Sequence, residues 1–268
     1  MLGGGTLGYN HVKKVEYPLG NGCTEPLRAI LDDDSYVVIK LFNNVMGNLV
    51  LLNEFVCYHL AKIIGLRIPH GEPCIIDENT IDEENLLKPE NIGLCFGSQY
   101  LMNAVILNAG IIKKLDNCDD FYKLILFDHL IYNKDRNMGN LLTRLSKKDS
   151  HLYVIDHTHV FKNETIWCAR DLNSGISNHD IKDVNILRSN EKCYELFMYN
   201  NRLEKEKLNE ASEVFKTKLS YDIICDIIAD IPDEWRCCAE DLAALAKYLD
   251  YRLKHIDDFC ELIMNSVK

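Results

Sequence analysis

A short polar segment and one later carboxylate constrain this chain more than any other feature. The segment runs from Asn133 to Asn140 and reads Asn-Lys-Asp-Arg-Asn-Met-Gly-Asn, and the later carboxylate is Asp156 in Tyr-Val-Ile-Asp-His. In phosphoryl transfer one Asp orients the attacking hydroxyl, while an Asn and a second Asp hold the metal ions that bridge the phosphates. Asp135, Asn140 and Asp156 can fill these three roles in that order.

The local pattern around this segment predicts a helix before it and a strand pair after it. Residues 121–132 are apolar at helical spacing. Residues 140–143 and 151–155 alternate as strands do, with a turn expected at 147–150. Asn140 would then begin one strand and Asp156 would follow its neighbour, so pairing of the two strands would bring both metal ligands together.

Upstream, residues 12–17, 26–31 and 36–40 predict three short strands. The turn between the first two contains Gly20, Gly22 and Thr24, and glycine lets backbone N–H groups approach a phosphate closely. Such turns are mostly only turns, so this segment is weak evidence by itself.

Lys40 ends the third strand, and Glu54 lies in a predicted helix over residues 48–64. A lysine on a strand paired with a glutamate on a helix fixes the lysine on the α- and β-phosphates in kinases. Taken singly, each residue reads more simply as a surface charge. As a pair upstream of the Asp-Asn-Asp set, and in the right order, they favour the functional interpretation.

Residues 72–76 and 94–101 predict two further strands, separated by an acidic loop over residues 77–91. In a kinase, a strand at this place reaches the link between the two lobes, where backbone groups meet the adenine, so Gln99, Tyr100 and Leu101 are candidates for that contact. From about residue 180 the chain predicts helices to its end, the last of them opened by Pro232. The expected fold is α+β and two-lobed, with a β-rich N-lobe over 1–101 and a mostly helical C-lobe over 102–268.

Composition narrows the function classes. The net charge of −11, from 41 acidic and 30 basic residues, argues against direct binding of nucleic acid or of an anionic membrane. The eleven cysteines contain no C-x-x-C pair, which favours reduced thiols over disulfides or zinc. Without a signal sequence or an apolar run of about eighteen residues, a cytoplasmic protein with no membrane span is expected.

At Asp135 to Asn140 and at Ile155-Asp156 the chain resembles the HipA-like kinases, which share a clan with the phosphatidylinositol kinases. The likeness extends through Val38-Ile-Lys40, Asn53-Glu54 and Gly65-Leu-Arg-Ile-Pro69, and covers residues 12 to 160. It implies a small β-rich N-lobe, a larger helical C-lobe, and ATP with Mg²⁺ between them. By position, Lys40 would bind phosphate, Asp135 would be the catalytic base, and Asn140 and Asp156 would hold metal. Some members phosphorylate themselves in the turn that corresponds to residues 20–24, and Thr24 is the candidate hydroxyl there.

The chain departs from the family in three places. The family commonly has His two residues after the catalytic Asp, where this chain has Asn137. His157 follows Asp156 where many kinases have Phe, and packing or hydrogen bonding is its simpler role. Classical members carry an extra N-terminal subdomain that docks an antitoxin, and this chain is expected to be too short to have it. A DNA-bound antitoxin complex of the usual kind is therefore not implied. A regulatory partner therefore stays unidentified.

Four acceptors or roles are open at this point. The first is a Ser/Thr protein kinase with a protein substrate. The second is a small-molecule phosphotransferase like the aminoglycoside and choline kinases, although these usually have His-Gly before the Asp, where this chain has Asn133-Lys134. The third is a lipid kinase, which the acidic balance disfavours. The fourth is a non-catalytic binding module on a kinase fold. The presence of Lys40, Asp135, Asn140 and Asp156 disfavours it.

Overall fold

The computed structural model describes residues 8–20, 22–47, 49–145, 150–200 and 203–266. The Cα positions separate the chain into two compact units. The first unit comprises Met1–Leu51 and His70–Tyr100, and the second comprises Leu52–Pro69 and Leu101–Lys268. No helix within the described residues is both long enough and apolar enough to span a bilayer.

The first unit is a closed barrel of five strands in the order β1-β2-β3-β5-β4. The strands are β1 (Asn10–Pro18), β2 (Leu27–Leu31), β3 (Tyr36–Lys40), β4 (Gly71–Ile76) and β5 (Gly93–Gln99). All neighbours are antiparallel except β1 and β4, which pair in parallel and close the barrel. The inward residues of each strand form the apolar core, including Val15, Ala29 and Ile39. All five predicted strands are present.

The helix predicted over residues 48–64 is α1 (Leu49–Ile63). It ends at Gly65, whose φ of +70° is the left-handed conformation that commonly follows a helix C-terminus. From Leu52 onward the helix belongs to the second unit.

Helices dominate the second unit, because its apolar positions recur at three- and four-residue spacing. After α1, the described helices are α2 (Ala109–Ile112), α3 (Asp120–Leu130), α4 (Ala169–Ser177), α5 (Asn185–Ser189), α6 (Glu191–Asn200), α7 (Lys205–Lys218), α8 (Tyr221–Ala229), α9 (Ala239–Lys254) and α10 (Ile256–Ser266). The predicted helix over 121–132 is α3.

A small sheet of order β6-β7-β8 accompanies these helices. It consists of β6 (Val105–Ile106), β7 (Leu141–Leu145) and β8 (Ser150–Val154). The predicted pair is present as β7 and β8, with Leu141 opposite Val154. The turn expected at 147–150 falls mostly outside the described residues. The two-residue β6 was not predicted, since so short a strand has no pattern of its own.

The C-terminal region corrects two expectations. Helix α4 begins at Ala169, before the helical region expected from residue 180. Pro232 does not open the last helix: it precedes a 3₁₀ turn, Asp233–Trp235, and the chain is extended again at Arg236. Two helices follow, α9 and α10, separated at His255. A leucine and isoleucine stripe marks the buried face of both helices, so periodicity alone did not reveal the break.

Candidate active site

The polar segment leaves the C-terminal end of α3 through a tight, hydrogen-bonded turn. Tyr132 has a φ of +53°, which is uncommon for a bulky residue. The Asn133 backbone N–H donates to the carbonyl of Asp128 (2.7 Å), and its side-chain amide donates to the Asp128 carboxylate (2.9 Å). Asn133 Oδ1 accepts from the N–H of Asp135 (2.8 Å). Asn133 therefore ties Asp135 to the end of α3.

Two asparagines hold the segment on its other side. The Nδ2 atoms of Asn140 and Asn137 both donate to the Asp135 carbonyl, at 2.9 and 3.1 Å. Asn137 Oδ1 also accepts from the Gly139 N–H (2.9 Å), at the start of the 3₁₀ turn Met138–Asn140. Asn137, which stands where the family commonly has His, thus fixes the backbone of Asp135. With its amide nitrogen engaged, Asn140 keeps its Oδ1 as a potential metal ligand.

Asp156 is brought to this segment by the pairing of β7 and β8. The Ile155 N–H donates to the Asn140 carbonyl (3.0 Å), one residue beyond the end of β8. Asp156 itself has a φ of +59°, and its Oδ1 accepts from the Thr158 N–H (3.3 Å). A left-handed backbone conformation costs energy for any residue other than glycine, and such residues are often found at functional sites.

Asn140 connects the chain at Asp135 and at Asp156, since its side-chain amide donates to the Asp135 carbonyl and its own carbonyl accepts from the residue before Asp156. Partial desolvation raises the pKa of the Asp135 carboxyl, and the negative charge of Asp156 raises it further. His159 and Arg136 act in the opposite direction, as does the hydrogen bond from Asn137. The structure therefore brings three of the predicted site residues, Asp135, Asn140 and Asp156, into one cluster.

Helix α1 supports the segment that follows Asp156. Glu54 Oε1 accepts from the His157 N–H (3.0 Å) and from the Thr158 hydroxyl (3.1 Å). The neighbouring Asn53 donates to the Thr158 carbonyl (2.8 Å). Both Asn53 and Glu54 are buried. These contacts were not predicted, because the sequence assigned Glu54 only as the partner of Lys40.

The remaining predicted residues lie mostly in the first unit. Lys40 is the last residue of β3, 9% exposed, and pairs with Phe96 of β5. Its predicted pairing with Glu54, which belongs to the second unit, stays a prediction. Gln99 ends β5, Tyr100 donates its N–H to the Tyr36 carbonyl (2.8 Å), and Leu101 begins the second unit.

The turn between β1 and β2 lines a cavity of about 450 Å³ within the first unit. Gly20 and Gly22 both have positive φ, +68° and +131°, which accounts for glycine at these positions. Thr24 is 3% exposed, and its carbonyl accepts from the Asn44 side chain (2.7 Å). Because the Thr24 hydroxyl is buried, its phosphorylation would require this turn to move.

The donors in the second unit fit Mg²⁺ in kind. Mg²⁺ prefers oxygen ligands and is commonly held by one or two carboxylates, with phosphates and water completing its shell. Asp156 and Asn140 supply a carboxylate and an amide oxygen, with Asp135 nearby. Within the described ranges no group of three or more His, Cys, Asp or Glu side chains could hold a metal by itself.

The family profile described as HipA-like kinase matches residues 12–260. This chain belongs to the HipA-like kinase family. The resemblance detected over residues 12 to 160 is thereby confirmed, and it extends through most of the helical region. Among curated proteins no significant match is found.

Solved structures support the same fold for this HipA-like kinase. The proinflammatory kinase CtkA of Helicobacter pylori superposes with a TM-score of 0.58 at 13% identity, covering 96% of this chain and 98% of CtkA. HipA of Shewanella oneidensis MR-1, from a complex with HipB and operator DNA, gives 0.52 at 11% identity, covering 92% of this chain and 68% of HipA. At such identities the likeness shows a mixed α and β kinase fold.

Sequence reasoning missed the residues that hold the catalytic segment from behind. Asp128 and Arg136 form an ion pair with no exposed side-chain surface. Tyr194 of α6 donates to Asp128, and Asn190, the residue before α6, accepts from the backbone N–H of Arg136. One signal was present in the sequence: Asp128 interrupts the apolar pattern of α3. A charge on a buried helix face needs a partner, and Arg136 lies eight positions further along the chain, in the segment that follows α3.

Proposed function

We propose that this HipA-like kinase transfers the γ-phosphate of ATP, with Mg²⁺, to a serine or threonine hydroxyl of a protein. The proposal includes two lobes, residues 1–101 and 102–268. In the first lobe, Lys40 would bind the α- and β-phosphates, and residues 20–24 and 99–101 would approach the phosphates and the adenine. Glu54 would pair with Lys40.

One observation carries the proposal: Asn140 joins the two aspartates, because its side-chain amide donates to the Asp135 carbonyl (2.9 Å) and its own carbonyl accepts from the N–H of Ile155, next to Asp156 (3.0 Å). Two like charges held together raise the free energy of the protein unless a cation or a proton offsets them. A site that binds a divalent cation together with phosphate makes use of this arrangement. Kinases likewise use an Asp as the base, and an Asn and a second Asp later in the chain as metal ligands.

The residues have separable roles. Asp135 would accept the proton of the acceptor hydroxyl as its oxygen attacks the γ-phosphorus, and the bond to the β-phosphate oxygen breaks. Asn140 Oδ1 and the Asp156 carboxylate would hold the cation. A cation held there would offset the negative charge of the phosphates. Glu54 and Asn53 would keep the Asp156 segment in place through the bonds to residues 157 and 158.

The first test is transfer of labelled γ-phosphate from Mg-ATP, with the protein itself and a generic protein as acceptors. Wild type should label protein, whereas Asp135→Ala should bind Mg-ATP nearly as well and transfer none, because it loses only the base. Asp119→Asn is the matched control, since Asp119 is exposed and pairs with Lys207 in the same unit. Equal transfer by Asp135→Ala would refute the assignment of the base.

The metal assignment has its own measurement. Asp156→Asn should weaken binding of Mg-ATP in calorimetric titration, because it removes a charged ligand of the cation. Label absent from protein, combined with wild-type-dependent ATP consumption on adding small hydroxylated metabolites, would move the acceptor to a small molecule. A protein that neither binds nor consumes ATP would be a binding module on this fold.

A further inference from the structure

Arg136 directly follows the proposed base, Asp135, yet it cannot reach a substrate. Its side chain has no exposed surface. The guanidinium Nη2 donates to the Asp128 carboxylate at 2.9 Å, and Nε lies 3.2 Å from both carboxylate oxygens. Burial alone would lower the pKa of Arg136, but the charge of Asp128 and its hydrogen bonds raise it, so the ion pair persists.

The carboxylate of Asp128 is fully engaged. Besides Arg136 it accepts from the Tyr194 hydroxyl (2.9 Å) and from the Asn133 side chain (2.9 Å). Asp128, Arg136 and Tyr194 are together called the loop triad below. A buried ion pair is favourable only when further hydrogen bonds satisfy its remaining atoms, and these bonds meet that requirement.

Asn190 joins the loop triad to the backbone of the catalytic segment. Its Oδ1 accepts from the Arg136 N–H and its Nδ2 donates to the Asn133 carbonyl, both at 2.9 Å. The same Nδ2 lies 3.0 Å from the Tyr194 hydroxyl. Asn190 therefore binds the chain on either side of residues 134 and 135, and Tyr194 orients Asn190.

Arg136 also reaches the segment that carries the proposed metal ligand. Its Nη1 donates to the carbonyl of Ile155 (3.0 Å), the residue directly before Asp156. The Arg136 side chain is thus bonded both to Asp128 of α3 and to Ile155, directly before Asp156. Arg136 itself is the residue directly after Asp135.

We propose that Arg136, held by Asp128 and Tyr194, is a positioning residue that sets the location of Asp135 relative to Asp156. The inference rests on the proposed phosphotransfer. Displacing a catalytic group by about 1 Å can cost roughly 100-fold in rate. Loosening the loop triad should therefore slow transfer more than it weakens binding of Mg-ATP.

The test is Tyr194→Phe, which removes one hydroxyl and leaves the ion pair in place. The matched control is Tyr248→Phe. Tyr248 is equally buried and donates to Asp180 (2.6 Å), which pairs with Arg252. Asp180, Arg252 and Tyr248, called the helix triad below, make no hydrogen bond to residues 133–140. Both variants should lower Tm.

Only Tyr194→Phe should lower kcat, by about tenfold, with the KM for Mg-ATP changing less than about threefold. Hydrogen exchange gives a readout that needs no activity: Tyr194→Phe should speed exchange in a peptide spanning residues 133–140, and Tyr248→Phe should not. If both variants keep kcat within twofold and leave exchange there unchanged, the positioning role is refuted. If wild type transfers no phosphate, the proposed function fails, and the exchange comparison still decides whether the loop triad holds this segment.

Discussion

The loop triad and the helix triad use the same three side-chain types in the same unit, but they hold different things. In both, an arginine and an aspartate form a buried pair, at 2.9 Å for Arg136–Asp128 and 2.5 Å for Arg252–Asp180, and a tyrosine hydroxyl donates to the aspartate. In the loop triad, the remaining donor of Arg136 bonds to the carbonyl of Ile155, beside the proposed site. The remaining arginine donors of the helix triad reach the last turn of α3.

The contacts of Arg252 explain the second case. Its Nε donates to the carbonyls of His129 (2.9 Å) and Leu130 (3.1 Å). The last carbonyls of a helix have no partner within the helix, and a cation there also interacts favourably with the helix dipole. The three residue types of a buried Arg–Asp–Tyr set therefore do not determine its role. The role depends on which groups accept the remaining hydrogen bonds of the arginine.

The largest effect should come from removing one charge of each pair. Asp128→Asn leaves Arg136 buried without a counter-charge and should lower the free energy of unfolding by about 3–5 kcal/mol. Asp180→Asn should fall at the lower end of this range, ~3 kcal/mol, because Arg252 retains two carbonyls. Urea unfolding at pH 7 measures both. A larger loss for Asp180→Asn would reverse the comparison.

A second prediction concerns His129, which lies between the two triads on α3. Its Nδ1 lies 2.8 Å from the Ile125 carbonyl, and burial, with a contribution from Arg252, lowers its pKa to about 4. In the unfolded chain His129 binds a proton near pH 6.5, whereas in the folded protein it stays neutral down to about pH 4. The free energy of unfolding therefore decreases as the pH falls from 6.5 toward 4. The loss is up to about 3 kcal/mol.

His129→Leu should abolish most of this pH dependence, measured as the difference in unfolding free energy between pH 6.5 and pH 4. His70→Gln is the control, since the His70 side chain is 60% exposed. An equal pH dependence in wild type and His129→Leu would show that His129 is not held neutral between the triads.

The smallest effect should come from Gly175 in α4, which packs against the helix triad. A Cβ there would lie 2.6 Å from Asp180 Oδ2 and 2.8 Å from Tyr248 Cε2. Gly175→Ala should cost about 1–3 kcal/mol by overpacking, partly offset by roughly 1 kcal/mol of helix propensity. Thermal unfolding measures the net loss against Ser177→Ala on the same helix. Phosphate transfer should stay within about twofold of wild type, and a tenfold loss would mean that the helix triad also governs the site.

Local pattern predicted much of what surrounds the site. The apolar run of α3, the alternation in β7 and β8 and the spacing of Asp135 and Asn140 are properties of neighbouring residues, and the structure contains the helix, the strands and the cluster with Asp156. The contact of Glu54 with residues 157 and 158 was not predicted, because it joins residues more than 100 positions apart. No local periodicity encodes such a contact.

By itself, the sequence determined the strands of the barrel, the helix–segment–strand order around Asp135, and the family. These follow from side-chain periodicity and from residue types at fixed spacing, which act over a few turns of chain. Only the tertiary structure decided that Arg136 faces Asp128 and Ile155 rather than solvent, and that Asn190 and Tyr194 complete its surroundings. The physical reason is that the partner of a buried charge is chosen by desolvation in the folded state, among groups that only folding brings together.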